Sequence, residues 1–387
     1  MDDILTGTNV RFTRTLNRRV VIEAVRRHSP ASRADLAHHT GLTHQAVSNI
    51  VASLLKDGYL RRLGRRPVER GQPPVEFALN PDAAHAIGIN LDRDRLIGLR
   101  IDLEGRVVQR IEAEVDHPDP ERAVDVITLA GRKLADDVSS RRVPVFGVGL
   151  AVPTGKWVDP ASFPGWHSSV IRTRLERRLN HRVYVENDAT AAAIWEHLYG
   201  RGREFADFFY IHFGHALGGG VISNGTPLYG AYGNAGEFGF TPVFADVDAF
   251  RAGRSDPLQH HVSLLALERW LDDHPEGDEA SPTSPAMDAW LTHAARLLVE
   301  PILNVDNLFD PSAILLGGRL PFELRADLVR RIEPEVLRRR IPGKDYPVHL
   351  LPGEAADDAA ALGAATLLLY ESLAPSPQLV RKQVAMR

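Results

Sequence analysis

The sequence feature that most constrains the fold is a strand-to-helix junction near the middle of the chain. Residues 183–185 are apolar and β-prone, whereas residues 189–199 are rich in alanine and favour a helix. Three polar residues, Glu186, Asn187 and Asp188, stand between the two patterns. Because ligands bind at the carboxyl ends of strands in open α/β sheets, the junction predicts an α/β fold with a polar ligand site at this strand end.

Asn187 and Asp188 also admit a simpler interpretation, because both occupy positions where a helix N-cap belongs. Capping needs only one such residue, however, and here three acceptor side chains crowd the strand end. An amide beside a carboxylate suits a ligand rich in hydroxyl groups, and in an enzyme the carboxylate could take a proton from one of them. The local sequence leaves both interpretations, cap and ligand site, open.

Charge is distributed unevenly along the 387 residues, a length that predicts two or three domains. Residues 1–80 hold 13 lysines and arginines against 7 acidic residues, a net charge of +6. The rest of the chain holds 33 against 43, a net charge of −10. A small basic segment ahead of an acidic one predicts a nucleic-acid-binding head, residues 1–80, on a larger body, residues 81–387.

Composition excludes several classes of protein. The chain has no cysteine, so disulfides and thiolate metal sites are excluded. No apolar run reaches the roughly 18 residues that a membrane span needs. The first residues include Asp2 and Asp3 and lack the basic start and apolar core of a signal peptide. A cytoplasmic protein without membrane contact is expected.

The head carries the periodicity of a helix-turn-helix. Helices are predicted over residues 16–28, 33–40 and 44–57, with Gly41 in the tight turn before the third. Ser32 and Thr43 are the predicted caps of the second and third helices. Short hydrogen-bonding side chains on the outer face of the third helix suit base edges and phosphates in a major groove. The predicted DNA contacts of these helices are Ser32, Arg33, Thr43, His44, Gln45, Ser48 and Asn49.

A β-hairpin with a long basic tip follows the third helix. Its strands are predicted over residues 59–63 and 75–79, and its tip contains Arg65, Arg66 and Arg70. These arginines could contact phosphates or the minor groove. The alternative is a generic bundle of three helices with a solvated basic loop. Because spacing, polar face and charge agree, a winged helix-turn-helix that binds double-stranded operator DNA is predicted for residues 1–80.

The body alternates predicted strands and helices. Strands are predicted over residues 86–91, 96–103, 107–115, 145–152, 208–213 and 310–318, and helices over 120–138, 170–179, 289–309 and 355–373. An acidic segment rich in proline and serine, residues 271–286, is predicted to be an exposed loop. Two glycine-rich stretches, 214–225 and 230–240, allow close approach of the backbone to a ligand or a tight turn.

Together these segments resemble the ROK family of repressors, open reading frames and sugar kinases, and in particular its repressor branch with a winged helix ahead of a kinase-like body. The resemblance covers almost the whole chain, and it depends on the order and spacing of its motifs. Those motifs are Asn17, Ser32-Arg33, Gly41-Leu42, Gly71-Gln-Pro73, Val185-Glu-Asn-Asp188, residues 214–220, Ala235-Gly-Glu237, Leu316-Gly-Gly318 and residues 360–365. The fold implied is two lobes of the actin-like ATPase type with a sugar in the cleft.

The chain departs from the family pattern where the kinases bind ATP phosphates. The family turn Asp-x-Gly-Gly-Thr-Lys is replaced here by Asn90-Leu-Asp-Arg-Asp-Arg95. The glycines that let backbone N–H groups approach phosphate are missing, and Asp92 and Asp94 would repel it. His215 and Ala216 replace the usual Thr and Gly of the second phosphate loop. Because phosphoryl transfer depends on positioning and charge neutralisation, this turn argues against a kinase and predicts no catalytic residues.

The sugar side of the family pattern is better kept. The resemblance implies that Asn187, Asp188 and Glu237 bind sugar hydroxyls. Phe240 replaces a family histidine that binds sugar and zinc, and Gln259 aligns with a family glutamate. The Cys-rich zinc loop is missing, so neither a metal nor another cofactor is expected.

The leading hypothesis is a sugar-responsive transcriptional regulator, a repressor, that pairs as a homodimer or higher homo-oligomer and binds a sugar-like effector in its cleft. Two alternatives are kept. The protein could be an active ROK sugar kinase with a DNA-binding head, in which Asp188 is the catalytic base. Its body could also be a dimerisation scaffold without a ligand.

Overall fold

The computed structural model describes residues 10–67, 72–116, 119–136, 143–153, 168–274, 284–344 and 346–373. Its helices are α1 Val10–His28, α2 Arg33–Thr40, α3 His44–Lys56, α4 Pro120–Ala135, α5 Ser168–Leu179, α6 Asp188–Leu198, α7 Val247–Arg251, α8 Leu264–Asp273, α9 Pro285–Phe309, α10 Phe322–Arg339 and α11 Ala359–Leu373. None of the helices in these ranges is long and apolar enough to cross a membrane.

The strands fall into four sheets. In chain order they are β1 Ala31–Ser32, β2 Leu60–Arg65, β3 Val75–Leu79, β4 His85–Leu91, β5 Arg95–Ile101, β6 Val107–Glu114, β7 Val145–Val152, β8 Val183–Asn187, β9 Phe208–Phe213, β10 Leu217–Ser223, β11 Thr226–Pro227, β12 Pro242–Val243, β13 Asp256–Pro257, β14 Ala313–Gly318 and β15 His349–Pro352.

The head is a three-helix unit closed by the small sheet β1-β3-β2. The capping interactions predicted from the sequence are present, since the Ser32 hydroxyl accepts from the backbone of Asp35 and Thr43 accepts from Ala46. Gly41 ends α2 in the left-handed conformation, with φ of 68°, which explains the tight turn before α3. The apolar faces of the helices and the hairpin meet in one core, made by Val21, Val25, Leu36, Val47, Val51, Leu54, Leu60 and Phe77.

The body has two lobes, each built on a five-stranded sheet. The first lobe has the order β6-β5-β4-β7-β8, in which β4, β7 and β8 run parallel and β5 and β6 are antiparallel. The second lobe has the order β11-β10-β9-β14-β15, with parallel pairing only around β14. Strands β4, β7 and β14 are almost entirely buried, as expected for parallel strands covered by helices on both faces of a sheet.

Helix α11 packs tightly against α6 and against strands β4 and β7, and these contacts are made by very small residues. A Cβ atom added to Gly88 or Gly149 would lie 1.9 Å from a carbonyl oxygen of α11. A Cβ atom added to Gly363 of α11 would lie 1.9 Å from the carbonyl oxygen of Ala191 in α6. These three glycines therefore determine how closely the helices approach the sheet, and so where the N-terminus of α6 lies.

Two parts of the body differ from the sequence-based predictions. The predicted loop over residues 271–286 is shorter, because α8 continues to Asp273 and α9 begins at Pro285 rather than at residue 289. Ser284 caps α9 and Pro285 occupies its first turn, where a missing N–H costs nothing. Residues 275–283 lie outside the described residues. Helices α7, α8 and α10 and strands β10, β11, β12, β13 and β15 were not predicted.

Candidate functional site

The outer face of α3, together with its cap Thr43, carries five of the ten predicted DNA contacts. Thr43, His44, Gln45 and Asn49 are exposed, and Ser48 is half-buried. The Gln45 Nε2 donates a hydrogen bond of 3.2 Å to Asn49 Oδ1, one helical turn further on. This face therefore presents amide and hydroxyl groups side by side, the arrangement that hydrogen bonding to base edges requires.

Ser32 and Arg33 have structural contacts at the start of α2. Ser32 is buried, and its N–H donates to Asp35 Oδ2 at 2.9 Å to complete a capping box. Arg33 is half-buried, and its guanidinium carbon lies 5.0 Å from the centroid of the Phe77 ring. The structure thus corrects the expectation for Ser32, whose side chain faces the head itself and not its outer surface.

The β2–β3 hairpin, which we call the wing, has an exposed basic side. Arg65 and Arg66 are exposed, and a β-bulge between residues 62 and 64 interrupts the register of the two strands. Arg66 pairs with Asp35 at 3.2 Å and with Glu76 at 3.6 Å, so it also holds the wing against α2. Arg70, the third predicted arginine, lies outside the described residues.

The strand-to-helix junction, where β8 is followed directly by α6, lies between the two lobes. Strand β8 ends at Asn187, whose Oδ1 accepts a hydrogen bond of 3.0 Å from the backbone of Thr190. Asp188 is the first residue of α6, and its Oδ1 accepts from the backbone of Ala189 at 2.8 Å. Asn187 is therefore the helix cap, as the simpler interpretation predicts. The second carboxylate oxygen of Asp188 takes no part in the hydrogen bond to Ala189.

That second oxygen, Asp188 Oδ2, lies 4.0 Å from Nε2 of His212 on β9. Burial raises the pKa of Asp188 and lowers the pKa of His212, and the proximity of the two groups opposes both shifts. The dominant shifts favour a neutral acid beside a neutral imidazole. His212 was not predicted as a site residue, because its position within an apolar strand resembles that of a core residue.

Glu237 lies close enough to Asp188 for the two carboxyl groups to interact. Burial raises the pKa of Glu237, and the charge of Asp188 raises it further. Glu186, the third acceptor of the junction, accepts from the hydroxyl of Tyr229 at 2.9 Å, which ties β8 to the loop that leads to Glu237. Two of the predicted sugar-binding carboxylates, Asp188 and Glu237, are therefore within electrostatic reach of each other.

The loop that carries Glu237 is held by two close backbone contacts. A Cβ atom added to Gly236, whose φ is 97°, would lie 2.2 Å from the Gly219 carbonyl oxygen. A Cβ atom added to Gly239 would lie 2.1 Å from the Leu217 carbonyl oxygen and 3.0 Å from the side-chain Oε1 of Gln259. Gln259 thus lies beside the loop, next to Phe240, whose side chain is 43% exposed. Gln259 is therefore a neighbour of the loop that carries the other two predicted residues, Glu237 and Phe240.

The turn that replaces the family's phosphate loop is occupied by ion pairs. Arg319, immediately after β14 of the second lobe, donates to Asp92 at 2.8 Å and to Asp94 at 2.8 and 2.6 Å. Arg93 lies 3.1 Å from Nε2 of His215, which belongs to the second lobe as well. We call Asp92, Asp94 and Arg319 the cross-lobe cluster, because it joins the β4–β5 turn of one lobe to the end of β14 in the other.

The opposite charges of the cross-lobe cluster stabilise one another in their charged forms. Burial works to lower the pKa of Arg319, but the hydrogen bonds and charges of Asp94 and Asp92 outweigh it and raise that pKa. Burial works to raise the pKa of Asp94, and the hydrogen bond and charge of Arg319 reverse this and lower it. Sequence reasoning identified the two aspartates but missed Arg319, which directly follows the Gly317-Gly318 motif.

The described residues contain no group of three or more histidines, aspartates or glutamates arranged to hold a metal ion. The predicted effector-binding groups near the junction include Asp188, Glu237, Gln259 and the aromatic ring of Phe240. Two carboxyl groups, an amide and an aromatic face can hydrogen-bond several hydroxyl groups and cover an apolar ring face.

Comparisons with known proteins agree with this geometry. The sequence profile of the ROK family matches residues 86–371, and that of the MarR family matches residues 15–71. The xylose repressor of Bacillus spizizenii is 24% identical over 373 residues, which span 94% of this chain and 97% of that protein.

Solved structures show the same fold. A ROK family transcriptional regulator described as a homologue of the Escherichia coli MLC protein superposes with a TM-score of 0.73 at 20% identity, covering 93% of this chain and 98% of that one. A ROK glucokinase from Streptomyces griseus, in complex with glucose and AMPPNP, superposes with a TM-score of 0.61 at 24% identity, covering 73% and 99%. The predicted fold, a winged helix-turn-helix ahead of a two-lobed actin-like body, is therefore confirmed, and the chain belongs to the ROK family.

Proposed function

We propose that this protein is a sugar-responsive transcriptional repressor. The head binds double-stranded operator DNA through the outer face of α3 and the wing. The cleft binds a sugar or sugar derivative through Asn187, Asp188, Glu237 and Gln259, with Phe240 against an apolar face of the ring. The matches to a xylose repressor and to a ROK transcriptional regulator over nearly the whole chain support this function.

The observation that carries the proposal is the contrast between the two ends of the cleft. At the sugar end, Asp188 and Glu237 lie close together with raised pKa values and an open aromatic side chain nearby. At the phosphate end, Arg319 pairs with Asp92 and Asp94, where a kinase needs glycines and backbone donors. Such a cleft suits binding of a sugar without transfer of a phosphoryl group.

An active sugar kinase is the second candidate, and two observations favour it. The fold is shared with a glucokinase, and Asp188 holds the position of a catalytic base with a raised pKa. We expect no phosphorylation when purified protein is incubated with ATP, magnesium and a panel of sugars. ATP-dependent turnover that disappears in Asp188→Asn would establish the kinase instead.

The assembly proposed is a homodimer or a higher homo-oligomer, located in the cytoplasm. Winged helices that read operators work in symmetric pairs, with the half-site spacing set by the dimer. The body, with its long helix α9, is the proposed source of the pairing. Sedimentation of the full-length protein in the absence of DNA tests this, and a monomer at micromolar concentration would contradict it.

The deciding experiment titrates an operator duplex, recovered by selection from a random pool, with and without each sugar of a panel. One sugar should change the operator affinity of the wild type by about 5- to 150-fold. Asp188→Ala should abolish this response and leave sugar-free binding nearly intact. Asp248→Ala, which removes an exposed aspartate of α7, is the matched control and should respond as the wild type does.

Two outcomes would contradict the proposal. If sugar changed the operator affinity of Asp188→Ala as it does that of the wild type, Asp188 would not belong to the effector site. Its role would then be limited to the start of α6. Operator binding by a chain that lacks residues 1–80 would remove the head from DNA recognition. Thermal shifts with the same sugars separate an effector-binding body from a scaffold without a ligand.

A further inference from the structure

The head contacts the body at the C-terminal end of α6. Arg26, on α1, donates from Nη1 to the carbonyl oxygen of Leu198, the last residue of α6. Its guanidinium carbon lies 5.2 Å from the centroid of the ring of Tyr199, the next residue. The last carbonyls of a helix lack partners within the helix and carry partial negative charge, so a cation is stabilising there.

Arg26 is held in place from the other side by its own helix. Glu23 accepts from Arg26 Nε at 2.8 Å and from Nη2 at 2.7 Å. Only 11% of the Arg26 side chain and 16% of the Glu23 side chain are exposed. A planar guanidinium held by two oxygens on one edge and a carbonyl on the other has little rotational freedom. The Arg26 side chain is therefore held in one orientation between head and body, unlike a solvated ion pair on the surface.

A second contact between head and body reaches the same place. Arg61 of the wing lies 3.6 Å from Glu104, in the turn between β5 and β6. The next residue, Gly105, lies against the ring of Tyr199, since an added Cβ atom would approach that ring to 2.7 Å. The Tyr199 hydroxyl donates to the carbonyl of Leu103 at 3.4 Å. Both contacts thus meet at the C-terminal end of α6.

The opposite end of α6 carries the proposed effector site. The helix has 11 residues, so about 15 Å along its axis separate Asp188 from Leu198. Most of its side chains are buried, and Ala191 is in backbone contact with Gly363 of α11. A short, buried and tightly packed helix moves as a unit, because packed cores are not continuously deformable.

We propose that Arg26 is the positioning residue that couples the head to α6, so that a displacement of α6 at its sugar-binding end changes the orientation of the head. This inference rests on the proposed function, since it assumes an effector at Asp188. Linkage then requires that operator binding and effector binding alter each other's affinity by the same factor. A head that has lost its contact with Leu198 would still bind DNA, but effector binding in the cleft would no longer change its DNA affinity.

The variants that test the inference are Arg26→Gln, Arg26→Lys and Arg27→Gln. Arg26→Gln removes the contact, and Arg26→Lys keeps the charge without the planar fork that spans Glu23 and Leu198. Arg27→Gln is the matched control, because Arg27 also pairs with Glu23, at 2.6 Å, but its side chain is 45% exposed. All three are made in the full-length protein.

The first measurement needs no sugar. Because the chain has no cysteine, spin labels can be attached at Ala52→Cys in α3 and Leu129→Cys in α4, both exposed positions. Double electron–electron resonance then gives the distribution of distances between head and body. We expect the distance distribution of Arg26→Gln to be broader than that of the wild type. The width for Arg26→Lys should lie between these two, and the width for Arg27→Gln should equal that of the wild type. An unchanged distribution in Arg26→Gln would overturn the inference.

The second measurement uses D-xylose, D-glucose and N-acetyl-D-glucosamine as probes. The sugar that shifts the melting temperature of the wild type should shift that of Arg26→Gln equally, because the cleft is intact. Its effect on operator affinity should fall from about 5- to 150-fold in the wild type to less than about twofold in Arg26→Gln. A full response in Arg26→Gln would also overturn the inference. If no sugar acts on the wild type, the proposed function fails, and the sugar-free distance distributions still decide whether Arg26 positions the head.

Discussion

Replacing Arg319 by methionine should destabilise the body by separating the two lobes at the cross-lobe cluster. The Arg319 side chain is 9% exposed and that of Asp92 is 6% exposed, so this pair is largely removed from water. Without Arg319, Asp92 retains a hydrogen bond of 2.8 Å from the backbone of Arg93 but loses its countercharge. Methionine keeps much of the side-chain volume, so the loss of charge is the main change.

The magnitude follows from the burial of each pair. Removing one partner of a buried ion pair costs about 3–5 kcal/mol, because the other charge remains buried without compensation. The Asp94 side chain is 46% exposed, so its pair with Arg319 adds at most about 1 kcal/mol. The retained backbone hydrogen bond to Asp92 reduces the total, and we expect a loss of about 3 kcal/mol at neutral pH.

Tryptophan fluorescence during urea unfolding measures this loss in the body alone, since all five tryptophans lie outside residues 1–80. Asp92→Asn in the Arg319→Met background should restore most of the stability, because it removes the uncompensated charge. Arg330→Met, which breaks a pair whose arginine is 68% exposed, should cost less than about 1 kcal/mol. If Arg319→Met cost no more than this control, the cross-lobe cluster would not hold the lobes together.

Three further predictions concern packing, DNA reading and the cleft. Gly363→Ala should lower the free energy of unfolding by about 3 kcal/mol or prevent folding, because the new Cβ would lie 1.9 Å from the Ala191 carbonyl oxygen. Unfolding followed by circular dichroism measures the loss of stability, and the yield of soluble protein shows whether the variant folds. Arg65→Ala should weaken binding to all duplexes alike and lower the salt slope by roughly one, whereas Asn49→Ala should change sequence preference by about 1–3 kcal/mol in competitive titrations. Asp188→Asn should raise the melting temperature at pH 7, because the raised pKa of Asp188 means that its charged form opposes folding. This gain should shrink as the pH falls towards about 3.9, where the carboxyl is protonated in the unfolded chain as well.

The sequence by itself determined the elements whose causes are local. Helices α2 and α3 of the head begin at the predicted caps, and α2 ends where Gly41 supplies the left-handed conformation. Helix α1, for which no cap was predicted, begins at Val10 rather than at residue 16. The junction at residues 183–199 was predicted as strand, polar residues and helix, and it has that order in the structure. Local capping and periodicity were also enough to place the predicted DNA contacts of α3 on one outer face of that helix.

The tertiary structure alone decided which distant residues meet. Arg319 is 225 positions from Asp94, and His212 comes to Asp188 from a strand in the other lobe. Arg26 meets Leu198 across 172 positions of sequence. No periodicity or cap in the sequence marks these pairs, because each depends on how α6, α11 and the two sheets pack. The close backbone contacts at Gly88, Gly149 and Gly363 are part of that packing.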